Sequence, residues 1–147
     1  MVLENKELVK CSAVYVLLHV LMKNKNFKGR RIIKKIMMSL KKNVIISKDN
    51  YDKDEWLYYV ELGEKVIVEA NNNMVLKEAD FRNSIVSPNI VLNRMFDRES
   101  FCKDFNIPIR DLEDLDKIYS DTNSAFTSLI FTNRLKDAIE NVELYKK

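Results

Sequence analysis

Only four residues of this 147-residue chain are glycine or proline: Gly29, Gly63, Pro88 and Pro108. Glycine supplies the positive-φ geometry of tight turns, and proline interrupts both helices and sheet ladders. A chain with so little of either is restricted to long elements and has few means of building the repeated tight turns of a β-fold. Its 46% hydrophobic and 32% charged residues are those of a globular protein. The fold class expected is mainly α: one helical domain over 1–147, a bundle around an apolar N-terminal helix, with room for one small β-hairpin at about 66–76.

The core begins early. Over 9–22 almost every side chain is apolar, and Ser12, His19 and Lys23 lie within about 40° of one another on a helical projection. A helix over 4–22 is therefore expected to be buried on all sides but a thin stripe. Lys6 and Lys10 precede the apolar run, but the run is short for a bilayer span. Glu4 and Glu7 stand where a leader would be basic, and no small-residue cleavage site follows. No membrane role is expected.

The segment that points outward is 23–42. It carries nine basic side chains and no carboxylate. At 100° per residue, Ile32, Ile33, Ile36, Met37 and Leu40 fall on one side, and Arg30, Arg31, Lys34, Lys35, Lys41 and Lys42 on the other. Setting these nine aside from the 25 Lys and Arg leaves 16 against 22 Asp and Glu. A basic amphipathic helix at about 28–42 thus sits on an acidic body, the charge pattern of an oriented surface that meets an acidic partner.

Beyond it, 44–47 suits a short strand. Asp52, Asp54 and Glu55 favour a helix start, and Gly63 stands where a helix commonly stops, giving a helix over about 51–62 followed by hairpin arms at 66–68 and 74–76. The spacing of Trp56, Tyr59, Val60, Val66, Ile67 and Ala70 also fits one uninterrupted helix. Ser87-Pro88 opens a helix reaching Phe96, and Asp97 opens another that carries Phe101 and Phe105. Pro108 begins a third, with Ile109, Leu112, Leu115 and Tyr119 inward. Residues 122–124 cap the last, whose inward stripe reads Phe126, Leu129, Ile130, Leu135, Ala138, Ile139 and Val142.

Catalytic chemistry has few candidates. His19 is the one histidine, and Cys11 lies about 80° around the helix from it, so a Cys-His pair is poorly placed; Ser12 is two turns away. One His and two scattered Cys do not make a zinc site, and Cys11 and Cys102 read as small apolar residues in a reducing compartment. Isolated glycines do not make a phosphate loop. Asp111 and Asp114 share a helix face, but with Glu113 and Asp116 they read as a solvated acidic surface. No enzyme activity, cofactor or metal is expected.

Binding remains. Lys25, Lys28, Arg30, Arg31, Lys34, Lys35, Lys41 and Lys42 are the candidate contacts to a nucleic-acid or ribonucleoprotein surface. If about five of them meet phosphates, affinity falls with salt with a log–log slope of roughly −4 on a duplex. Phe27 precedes the helix, Met38 sits at the centre of its basic face, and Asn24, Asn26 and Asn43 flank it, so backbone charge outweighs base reading. A winged-helix layout fails on charge, because the helix ahead of the expected hairpin begins with carboxylates. The alternative is a helical protein–protein adaptor or inhibitor, a host- or pathogen-interaction module whose basic face meets an acidic protein. Either suits the cytoplasm, with the nucleus open to it.

Overall fold

The computed structural model describes residues 5–25, 27–46, 53–72, 86–120 and 125–142. Among them the regular elements are helices: α1 (Asn5–Leu21), α2 (Arg30–Ile46), α3 (Lys53–Asn71), α4 (Pro88–Met95), α5 (Arg98–Phe105), α6 (Ile109–Ile118) and α7 (Ala125–Glu140). The mainly α class that scarce glycine and proline imply is the class found.

Helix α1 is the hub, packed against α2, α3, α4 and α7. Its Leu8, Val9, Cys11, Ala13, Val14, Leu17, Leu18 and Leu21 are fully enclosed, as a helix apolar on all faces must be. The polar stripe is narrower than expected. Ser12 is buried, and its hydroxyl donates to the Leu8 carbonyl at 2.8 Å, so that hydroxyl is not stranded. His19 stays at the surface beside Tyr15.

Helix α3 overrides two expectations. Gly63 does not end a helix, and 66–68 is not a hairpin arm; α3 runs on to Asn71, while 74–76 lie outside the described residues. The apolar phase carried across the glycine decides the matter: Trp56, Tyr59, Leu62, Val66 and Ala70 all face the core. Gly63 is there because α1 passes at that point. A Cβ on it would stand 2.9 Å from the Ala13 amide nitrogen and 3.0 Å from the Ala13 Cα. The short strand expected at 44–47 is likewise helical as far as Ile46, since Val44 continues the buried face of α2.

The other half completes the core. Helix α7 packs on α3 and α4, while α5 and α6 bridge from α2 to α4. Asp97 caps α5 by accepting from the Ser100 amide at 3.1 Å, a bond that holds its carboxyl below the ordinary range. Phe96, Phe101 and Phe105 form one aromatic cluster with centroids 4.6–5.7 Å apart.

The inward stripes of α6 and α7 need correction. Ile109 is exposed, and so are Phe126, at 75%, and Leu129. Ser128 and Thr132 are buried instead. The Ser128 hydroxyl accepts from the amide of Ser87, the N-cap of α4, at 2.8 Å, and Thr132 donates to the Ser128 carbonyl within α7 at 2.6 Å. The cap expected at 122–124 lies outside the described residues.

Candidate nucleic-acid interface

Helix α2 sorts as its sequence dictates. Ile33, Ile36, Met37, Leu40 and Val44 are buried against the body, and Arg30, Arg31, Lys34, Lys35 and Lys42 are exposed. Ahead of it, Lys25 and Lys28 are in solvent, and the chain at 27–29 is anchored on the end of α6. Phe27 is buried against Tyr119, and the Tyr119 hydroxyl donates to the Lys28 carbonyl at 2.6 Å. Gly29 takes φ 78, with Leu115 and Ile118 of α6 packed where a Cβ would be.

The eight candidate cations are not equivalent. Arg30 is structural: its guanidinium donates to the Met22 carbonyl at 2.7 Å and the Asn24 carbonyl at 2.8 Å, so it ties off the C-terminal end of α1. Lys35 is paired with Asp111 at 2.8 Å. Lys41 leans over the Trp56 ring, 5.4 Å from its centroid, joining α2 to α3. Among the described residues, Lys25, Lys28, Arg31, Lys34 and Lys42 have no carboxylate or ring partner. Lys23 is also exposed and makes contacts of its own.

These five side chains lie just ahead of α2 and along its outer face, with Met38, 59% exposed, between Arg31, Lys34 and Lys42. From Arg31 to Lys42 the helix covers about 16 Å at 1.5 Å per residue. The arrangement opposes helix stability at one point. No carboxylate occupies the first turn of α2, and Arg31 sits at the positive pole of the helix dipole, where a cation is disfavoured by about 0.3–1 kcal/mol. Arg30 offsets this with its carbonyl contacts; Arg31 makes no such contact among the described residues.

An open groove of about 690 Å³ adjoins this face, between the last turns of α2 and the α5–α6 junction. No local sequence pattern signals it, because its far wall is Asp104, Phe105, Asn106 and Ile107, the nearest of them 58 residues beyond the end of α2 in the chain. The Ser39 hydroxyl donates to the Phe105 carbonyl and ties the two walls together.

The other sequence candidates do not converge. His19, Cys11 and Ser12 form no nucleophile–base pair: His19 stacks on Tyr15, with centroids 6.4 Å apart, and the Ser12 hydroxyl is committed within α1. Asp111 serves Lys35. Asp116 accepts from Arg98 at 2.6 Å and from Asn89 and Asn93. Among the described residues no three His, Cys, Asp or Glu side chains gather as a metal site, and no described helix is long and apolar enough to cross a membrane.

Burial pushes the Cys11 thiol up to about 12 and raises Cys102 as well, so neither is a ready thiolate at neutral pH. Iodoacetamide on the native protein at pH 8 should label Cys102 slowly and Cys11 only on unfolding. Peptide mass spectrometry reads this, and fast native labelling of Cys11 would contradict the packing of α1. Comparison with known proteins finds nothing similar: no protein family, no curated protein and no solved structure matches the chain.

Proposed function

We propose that this protein is a non-enzymatic docking protein of the cytoplasm that binds a nucleic-acid or ribonucleoprotein surface through Lys25, Lys28 and helix α2. One observation carries the reading. The basic face is accessible and is not neutralised by the body it sits on, since five of its cations lack an ionic partner among the described residues although the rest of the chain is acidic. Arg31 adds to this, because a cation that works against its own helix dipole is better accounted for by a ligand than by folding. Lys28, Arg31, Lys34 and Lys42 meet phosphates, and Lys25 extends the row. Lys35 joins on release from Asp111, while Arg30 and Lys41 hold the helix in place.

Binding of this kind reads charge and shape with little sequence preference. Fluorescence anisotropy with a labelled random RNA should give a Kd near or below the micromolar range at low salt, with heparin and unlabelled DNA competing. Failure of any nucleic acid to bind at low salt would reject the reading.

A second reading, a protein–protein adaptor or inhibitor, is favoured by the outer face of α3. Leu57, Tyr58 and Val68, the last 69% exposed, stand there among Glu55, Glu61 and Glu64. On that reading the basic face contacts an acidic protein, and purified RNA does not bind.

A further inference from the structure

The groove beside α2 differs in character from the cation row. Its apolar lining, the floor, comes from the buried Phe105 and Ile107, with the exposed Met38 lining the groove beside them. Lys42 lies on its near wall, with Lys35 and Lys41 beside it, against the single carboxylate of Asp104 on the far one. Asn106 closes the far wall in a left-handed conformation, φ 55. This ends α5 and leaves its side-chain amide exposed, with no hydrogen-bond partner among the described residues.

A slot with an apolar floor, a free amide and cations on its rim is complementary to a flat group with an apolar face, a hydrogen-bonding edge and an anion attached. Its volume lies within the ~300–1,000 Å³ of small-ligand sites. A nucleotide has that combination; the carboxylate of an acidic peptide satisfies the cations and leaves floor and amide unused. Resting on the nucleic-acid reading above, we infer that the groove receives an unstacked base of a single strand whose phosphates follow Lys28, Arg31, Lys34 and Lys42. The base lies against Met38, and the Asn106 amide bonds its edge. A duplex keeps its bases stacked and paired, so it engages the cation row alone.

The test uses the full chain and charge-matched probes: a labelled thymidine oligonucleotide, an abasic strand of the same length, and poly-glutamate as competitor. Base contact is expected to make the thymidine strand bind about tenfold more tightly than the abasic one. Met38→Ala and Asn106→Gly, the latter chosen because glycine keeps the left-handed backbone, should each bring thymidine affinity toward the abasic value. Equal affinity for the two strands, or a preference that both variants retain, overturns the groove inference and leaves the cation-row reading standing. Binding to neither strand overturns both, as does poly-glutamate displacing the thymidine strand more effectively than unlabelled thymidine does.

Discussion

Gly63→Val will not hold the native fold. A side chain at 63 enters the closest approach of α3 to α1, where a Cβ would stand 2.9 Å from the Ala13 nitrogen and 3.0 Å from both the Ala13 Cα and the Ser12 carbonyl carbon. These are backbone atoms in the middle of a helix, so they cannot rotate away, and only separation of the two helices relieves the clash. Separation also opens the contacts of Leu62 and Val66 with the core. In an exposed helix, alanine for glycine gains about 1 kcal/mol.

Here the sign reverses. Gly63→Ala should lower unfolding free energy by about 2 kcal/mol, within the ordinary range for overpacking. The two further methyls of valine should remove most of a stability that for a domain of this size is about 5–15 kcal/mol. Urea unfolding followed by far-UV circular dichroism measures both. Gly29→Ala is the calibrating variant. Its Cβ meets only the movable ends of Leu115 and Ile118, 3.1 and 3.4 Å away, and left-handed strain costs about 1–2 kcal/mol. A Gly63→Ala protein as stable as the parent would mean that α1 and α3 do not cross there.

The second large effect falls on binding and spares the fold. Arg31→Glu combined with Lys34→Glu replaces two unpaired cations with two anions at the centre of the proposed contact, and should weaken nucleic-acid binding by about a hundredfold or more at low salt. Neither side chain makes an ion pair among the described residues, so their loss strands no partner. A carboxylate in the first turn of α2 suits the helix dipole, and the variant should therefore melt at the same temperature as the parent or slightly higher. Lys35→Glu behaves differently, because it sets an anion against Asp111. A double variant that melts normally and still binds RNA as well as the parent would remove α2 from the interface.

How much of this could be read before folding depended on whether a residue's role was local. The helical class followed from four scarce residues, and the inward and outward faces of α2 from the 3.6-residue period alone. Gly63 misled because a glycine behind an apolar run signals a stop only if no other helix needs the space, and the need came from Ala13, fifty residues earlier. The apolar phase over 56–70 was the better guide.

Ser128 and Thr132 carry no local signal that sets them above the bulkier Phe126 and Leu129, since nothing nearby in sequence shows that the Ser87 amide requires a buried acceptor. Eight basic residues looked alike as a row of charges. The structure separates them by what lies opposite: carbonyls for Arg30, a carboxylate for Lys35, an indole for Lys41 and solvent for the remaining five. The groove was invisible because Ser39 and Phe105 meet only in three dimensions.

The claim that an unneutralised cation face waits for a polyanion is tested most directly by the salt dependence of binding. Five phosphate contacts, one for each of Lys25, Lys28, Arg31, Lys34 and Lys42, predict that log K for a single-stranded RNA falls against log salt with a slope of about −3.5. A slope near zero, or no binding even at low salt, would contradict it.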